Sequence, residues 1–575
     1  MGDSRTATRR AFTAAALLAA CIMAAAVPSA QPARTMPKFL PDDPLAKVAD
    51  TQDASKVQPR EISLYYDAGI NLFGRPGLSD VGRAESINTV DEVPDSNWYI
   101  NRAPLSPDDI RRGVNDDAGP AAGKWLVSSK SNGVSPGFTI TDERRRRYFI
   151  KFDPPGHPEL GTGAEAVVTR LLHALGYYVP QLNLGVLRRE DLVIGPSATV
   201  RLPNGTRRPM TEADIEEQLA RAERNPDGTY RVSLASALEG KPLEGFKYEG
   251  TRPDDPNDVV PHENRRELRG LRVFSAWLNH TDAKAINSMD SLIPESGRAV
   301  VRHQLFDFNA TLGSAGIGLR DPRDGYEYLA EIGAAGKALP AFGFNVRRWM
   351  TIAYPTLRGI GRFEATAFRP EEWRPRVPNP AYVRSRPDDT FWAARKLMRL
   401  TEPEIRAAVQ AGGYTDPQAE KYLGDVLLER REKIGRVWLT AVNPVIDPLL
   451  AADGTLTFRN AAVDHGFAEA RAAYDVAWHR FDNATGESAR IAASKSDGPT
   501  STAGVMRVKP DAALPEADGA FVRVDISAAD PAHPSWTEAV HAYFRRGAAE
   551  WKLVGFDRMP TAPPMRPGLV GAERK

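Results

Sequence analysis

From residue 123 the chain changes from irregular to patterned. "WLVSSK", "GFTIT" and "RYFIKFD" are short runs of alternating apolar and polar residues, and in the last of them Tyr148, Ile150 and Phe152 alternate with Phe149, Lys151 and Asp153. A period of two predicts three strands, the first pair joined by the turn cluster "SNGVSPG" with Gly133 and Gly137. The period then lengthens: in "TGAEAVVTRLLHALG" apolar residues fall at 164, 167, 168, 171, 172 and 175, one face of a helix, with Gly176 placed to end it. "YYVPQLNLGVL" and "DLVIG" read as further strand. Residues 201–228 read as an insertion carrying the charged helix "MTEADIEEQLARAER", after which "TYRVSLASALEGKPL" returns as strand and connector.

A second strong helix is "HENRRELRGLRVFSAWL", with Leu268, Leu271, Phe274 and Leu278 on one side. It runs directly into "NHTDAKAINSMD", and "RAVVRHQLFDF" follows as strand. Residues 387–441 are helical, with Asp416 the expected N-cap of their last segment. From 446 to 560 runs such as "AAYDVAWHRFD" and "AFVRVDIS" predict a smaller β-rich domain of sandwich type. The fold class expected is therefore α+β.

Composition adds location more than chemistry. The first thirty residues carry Arg9-Arg10, an Ala/Leu run and small residues, the pattern of an export signal of twin-arginine type. Cys21, the one cysteine in the chain, sits in "LAAC", which resembles a lipobox. Processing at Cys21 would leave a diacylated, envelope-anchored lipoprotein; cleavage near Ala26 or Ala30 would release a periplasmic protein. Losing residues 1–20 removes three Arg and one Asp from a chain of net charge +1, leaving about −1, so no field favours nucleic acid. A lone cysteine forms no intramolecular disulfide, and no later run is long and apolar enough to span a membrane.

The densest chemistry is His280, Asp282, Lys284 and Asn287, an H-x-D-x-K-x-x-N pattern, followed by Asp307 at the end of a predicted strand. Phosphoryl transfer needs a carboxylate to orient a hydroxyl, a cation near the phosphate, and oxygen ligands for Mg²⁺; this loop supplies all three. "HTDAKAIN" resembles the catalytic loop of the protein kinase fold, "DFN" at 307–309 its metal-binding D-F-G, and Lys151 with Glu165 its strand-lysine and helix-glutamate pair. The style is similar to atypical kinases of the HipA or CotH type. The resemblance implies a two-lobed domain: a first lobe at 123–240 including the insertion, and a second at 241–445. Before them lie the signal (1–30), a Pro-rich linker (31–60) and a loop-rich lead-in (61–122); after them come the β-rich domain (446–560) and a tail (561–575). It further implies ATP and Mg²⁺ as cofactors, with Lys151 and Glu165 on the nucleotide, Gly133 and Gly137 in its phosphate cover, Asp282 as base, Lys284 on the γ-phosphate, and Asn287 and Asp307 on the metal. His280 would support the loop.

Three departures stand out: "SNGVSPG" replaces the glycine-rich signature, Asn309 stands where D-F-G has glycine, and Thr281 precedes Asp282 in place of arginine. Local readings compete as well. Thr162 and Glu165 fit a capping box, Lys151 could reach solvent, and the acidic loop "RPDDPNDVVPHE" (252–263) reads as solvated. The leading expectation is an extracytoplasmic phosphotransferase acting on an unknown protein, glycan or lipid. The alternative is a catalytically silent kinase-fold scaffold of the envelope.

Overall fold

In the computed structural model, residues 39, 50–74, 81–116, 119–130, 134–202, 205–329, 347–470, 473–496 and 504–561 are described. The signal with Cys21, and Gly133, lie outside them. Among the described residues no helix is long and apolar enough to cross a membrane.

The lead-in, with the short helix α1 (Leu64–Gly69) and a second short helix at Pro107–Arg112, is built into the core more deeply than its loop-like sequence suggests. Val93, Trp98 and Tyr99 join the main hydrophobic cluster. Trp98 stacks on His303 at 3.5 Å between ring centroids, and Arg265 lies 4.4 Å over the same indole.

A seven-stranded sheet follows, in the order β4-β7-β3-β2-β1-β5-β6. Its strands are β1 (Trp125–Lys130), β2 (Gly137–Thr141), β3 (Arg147–Phe152), β4 (Leu182–Leu187), β5 (Leu192–Arg201), β6 (Arg207–Pro209) and β7 (Tyr230–Ser236). All neighbours are antiparallel except β1 and β5. Tyr148, Ile150 and Phe152 are buried as the alternation predicts, in a cluster shared with Ile215 and Leu219 of the inserted helix. Helix α2 (Leu160–Ala174) packs on β3, β4 and β7. Its start is fixed by buried Asp153, whose carboxylate accepts from the backbone N–H of Glu159, Gly161 and Thr162. Thr162 is thus inside the helix, and the capping-box reading of Glu165 gives way to Asp153, which already satisfies those donors.

Below the sheet, β8 (Lys241–Pro242), β9 (Ser288–Glu295) and β10 (Arg298–Leu305) form a small sheet beside helices α3 (Arg266–Leu278), α4 (Pro387–Met398), α5 (Glu402–Gln410) and α6 (Pro417–Trp438). Asp416 caps α6 through Gln418 N at 2.8 Å. Helix α3 is enclosed on all sides: Arg266 and Arg269 are completely buried. Arg266 is held by Asp91 at 2.7 Å, Asp388 at 3.0 Å and Asp389 at 3.1 Å. The acidic loop before it is no solvated loop: Asp258 is buried against His262 at 2.7 Å and Arg265 at 3.0 Å.

Strands fill residues 445–557. One antiparallel sheet runs β11 (Val445–Leu450), β12 (Leu456–Asn460) and β15 (Met506–Val508). The other runs β14 (Ser488–Ser496), β13 (Ala473–Phe481), β16 (Phe521–Ala529), β17 (Val540–Arg546) and β18 (Trp551–Asp557). Their apolar faces continue the cluster that contains Trp438 and Leu439.

Removing one member of a buried ion network strands the others in the interior, at about 3–5 kcal/mol. Arg266→Ala is expected to lose that much in urea unfolding, far more than Arg266→Ala-type changes at exposed arginines such as Arg111.

Candidate functional site

Lys151 leaves β3 on the side opposite Ile150 and Phe152. Its Nζ lies 2.7 Å from Glu165 Oε1 of α2 and 2.8 Å from Asp307 Oδ1, just after β10. The lysine therefore does not reach for solvent. Burial alone would lower its pKa, but the carboxylates of Asp307 and Glu165 outweigh that and hold it above lysine's ordinary value. Ser233, paired directly across from Lys151 on β7, donates to Glu165 Oε2 at 2.6 Å and fixes the carboxylate from its other side.

Across the other edge of β3, Gly137 pairs with Lys151. A Cβ there would lie 2.3 Å from Ile150 O, so only glycine lets β2 approach at this point. Of the two glycines expected in the cover, Gly137 borders the site; Gly133 lies outside the described residues.

The second half of the site follows α3. Asn279 ends the helix in the left-handed region at φ 48°. Its Oδ1 accepts from Trp373 Nε1 at 3.0 Å, and Arg376 N–H donates to Thr281 O at 2.9 Å, so the loop is tied down from outside. Lys284 Nζ contacts Asp282 Oδ1. Asn287 Nδ2 donates to Asp282 O at 2.7 Å and to Asp282 Oδ2 at 3.1 Å. Burial pushes the Asp282 carboxyl up, but the adjacent Lys284 ammonium prevails and keeps it below its ordinary range. The two halves are joined by Phe306 N–H to Asn287 O at 3.2 Å, and by the edge-on packing of His280 against Phe308, 5.7 Å between centroids. Asp307 itself takes a positive φ of 64°, a conformation uncommon for a residue other than glycine, asparagine or aspartate.

The fit of these groups to a divalent cation follows from the oxygens they leave over. Asn287 spends its amide N–H groups on Asp282, so its Oδ1 remains as an acceptor; Asp307 spends Oδ1 on Lys151 and keeps Oδ2. Two hard oxygen ligands in a partly open cleft suit Mg²⁺, which retains water and phosphate oxygens in its shell.

Asn309, the departure in "DFN", has a partner the sequence did not reveal. Its Nδ2 donates to Ser135 Oγ at 2.9 Å, tying the arm of the β1–β2 turn to the segment after Asp307. The same arm accepts at Val134 O from Arg221 Nη2 at 2.6 Å, just past the inserted helix, and Pro136 O accepts from Phe152 N at 3.1 Å. Gly316, at φ +75°, closes over the Ser135–Asn309 pair; a Cβ there would meet Ser135 Oγ at 2.6 Å and Asn309 Nδ2 at 2.9 Å.

No protein-family model matches the chain, and no curated protein matches it in sequence. Solved structures similar to it include the Helicobacter pylori proinflammatory kinase CtkA, at 12% identity over 55% of this chain and 95% of that one, TM-score 0.29. A Golgi casein kinase with Mn/ADP bound is similar over 57% of this chain and 75% of its own, at 11% identity and TM-score 0.29. Another structure of the Golgi casein kinase overlaps 70% of this chain and 97% of its own, at 11% identity and TM-score 0.24.

His280 gives the site an acid limit. Its ring is buried, its Nδ1 has no hydrogen-bond partner among the described residues, and burial pushes its pKa down to about 4 from 6.5. A base with a depressed folded pKa is protonated first in the unfolded chain, so stability is complete above about pH 6.5 and falls as pH drops toward 4. The full loss is about 3 kcal/mol. His280→Gln is expected to flatten the stability curve across that window, read by urea unfolding at stepped pH.

Proposed function

We propose that the chain is a kinase-fold phosphotransferase that uses Mg-ATP on an acceptor hydroxyl. The observation that carries this reading is the convergence of Lys151, Glu165 and Asp307 from three separate elements within 2.8 Å contacts. Unlike the enclosed Arg266 network, this cluster is partly open, with Lys151 17% and Asp307 31% exposed, and it lies beside an Asp–Lys–Asn loop, an arrangement that suits a site.

Each residue has work that its position permits. Lys151, oriented by Glu165, presents a fixed cation to the α- and β-phosphates. Asn287 and Asp307 would hold Mg²⁺, which when bound neutralises charge between the phosphates. Asp282, kept ionised by Lys284, accepts a hydrogen bond from the acceptor hydroxyl and takes its proton as the new P–O bond forms; the bond to the ADP leaving oxygen breaks. Lys284, in contact with Asp282, lies beside the path of the transferred group and offsets its charge. The arm held by Asn309 and Arg221 covers the phosphates from above with side-chain ties in place of a glycine-rich backbone.

Asp282→Ala is expected to lower kcat by about 10²–10⁴-fold while leaving the Mg-ATP thermal shift in place. Ligand at 100 times its Kd adds about 2.7 kcal/mol, and Asp307→Ala is expected to erase the Mg²⁺-dependent part of that shift. Unchanged transfer by Asp282→Ala protein would sink the assignment.

We propose further that the protein works outside the cytoplasm, anchored through acylated Cys21. The support is the twin-arginine-like start and "LAAC". Cys21→Ala is expected to move the protein from the membrane fraction to the soluble periplasmic fraction, without change in its specific activity.

A further inference from the structure

The outer face of the five-stranded C-terminal sheet carries a small apolar socket that the phosphotransfer machinery does not use. Along β16, Val522, Val524 and Ile526 turn into the main core, and with a period of two Phe521, Arg523 and Asp525 face the other way. On that second face Phe481 of β13, Tyr543 of β17 and Val554 of β18 form a cluster separate from the core, with Phe521 packed at its border. Pairing between β17 and β18 skips Val554: Tyr543 lies opposite Gly555, and Phe544 opposite Leu553. This bulge brings Val554 and Gly555 to the socket together.

Phe39, from the Pro-rich segment read as a linker, fills this socket. It is 5% exposed, with its ring centroid 4.8 Å from that of Tyr543 and 6.0 Å from that of Phe481. A Cβ at position 555 would lie 2.4 Å from the Phe39 ring, so Gly555 is what makes room for it. One side chain holds the backbone on both sides of that ring. Phe39 N–H donates to Asn483 Oδ1 at 2.9 Å, and Asn483 Nδ2 donates to Phe39 O at 2.8 Å. The Asn483 amide thus gives Phe39 the donor and acceptor that a neighbouring strand would give it. These contacts reach only the ring of Phe39 and its own two backbone groups, so the recognition is complete within one residue. Among the described residues the chain next meets the body at Asp50, which accepts from Asn97.

We infer that the socket is a docking site for a phenylalanine within a peptide, and that its working occupant is the chain's own Phe39, which clasps the N-terminal segment to the C-terminal sheet. The chemistry selects this occupant. The walls are aromatic and aliphatic, which suits an uncharged ring, and Asn483 matches the N–H and C=O of any residue but proline. Phe39 is the one aromatic residue between 31 and 60. A clasp of one residue also opens: burying one phenylalanine favours the closed form by about 10- to 100-fold. The consequence is one of placement. A chain held through an acyl group at Cys21 has 18 residues to the clasp, a reach of roughly 60 Å, against 29 residues and roughly 100 Å to Asp50 once the clasp is open. Closed, it keeps the C-terminal sheet nearest the anchor; open, it gives the phosphotransfer site a longer reach from the membrane. This placement rests on the proposed anchoring, and the clasp itself does not.

Trypsin acting briefly on the purified full chain reads the clasp at the Lys38–Phe39 bond, whose N–H is the one that Asn483 holds. Asn483→Ala and Gly555→Val leave the cleaved sequence unchanged. Each is expected to speed that cut by about tenfold or more, measured by mass spectrometry against the cut after Arg34 in the same chain. The second probe leaves the socket intact: N-acetylphenylalanine amide, which carries the ring and both backbone groups, titrated at millimolar concentration and read by thermal shift. Phe39→Ser protein is expected to be stabilised in a saturable way, wild type not at all, and Phe39→Ser combined with Asn483→Ala several-fold more weakly; N-acetylalanine amide is expected to shift none of them. Equal cutting at Lys38 in wild type and both socket variants overturns the inference. So does the absence of a shift in Phe39→Ser protein, or a shift of equal size in wild type. A cut at Lys38 that slows as the protein is concentrated places Phe39 in the socket of a second copy and overturns the clasp within one chain. Wild-type protein found wholly in the soluble fraction overturns instead the anchoring at Cys21, and with it the placement, while the clasp stands or falls by the two probes.

Discussion

An ammonium group taken out of water has to be compensated at contact distance, and Lys151 imposes that requirement on three parts of the chain at once. Glu165 must arrive on a helix and Asp307 at the end of a strand 156 residues further on. The register of β3 is what makes the meeting geometrically definite. With a period of two, a slip of one residue would turn Lys151 into the apolar face occupied by Ile150 and Ile215 and move its carboxylates to the wrong side. Gly137 and Ser233, paired with Lys151 from either side, guard the register in different ways: one by the absence of a side chain, the other by a hydroxyl that reaches the same glutamate.

That dependence explains what could be read from the chain alone. The alternation in "RYFIKFD", the period of α2 and the H-x-D-x-K-x-x-N loop are written in neighbouring residues, so strand, helix and loop were legible; of the residues singled out on them, the structure brings Lys151 to Glu165 and Asp307, and Asp282 to Lys284 and Asn287. The lead-in was not legible, because its structure is decided by distant partners: Trp98 by His303, Asp91 by Arg266 and Arg558. A loop whose side chains are matched two hundred residues away carries no period. The acidic loop at 252–263 misled for the same reason. Its charge looked solvated until Asp258 was placed between His262 and Arg265. Strand β9 was hidden too, since Asp290 and Ser291 interrupt its apolar pattern; Asp290 is buried there against Arg252 and His303.

The departures from the kinase pattern become intelligible once they are seen to occur together. A glycine-rich turn covers phosphates with bare backbone and gives up conformational entropy to do so. Here the turn has fewer glycines, and its arm is fastened by side chains: Asn309 to Ser135 from below, Arg221 to Val134 O from the insertion. A glycine at position 309 would have no amide to offer Ser135. The inserted helix likewise acquires a role, since its end supplies the second tie.

Buried charge in this protein falls into two physical classes, and the difference separates framework from site. Arg266 is wholly enclosed with three carboxylates, and its network is closed: every partner is protein, and nothing could enter without breaking it. Lys151 and Asp282 are compensated as well, but their side chains remain 17% and 22% exposed, and each leaves oxygens or protons over for a further partner. A network closed on all sides stabilises one structure only. A network compensated in its resting state yet open along one direction holds its charges in place and can still exchange a contact for a phosphate, a metal or a hydroxyl.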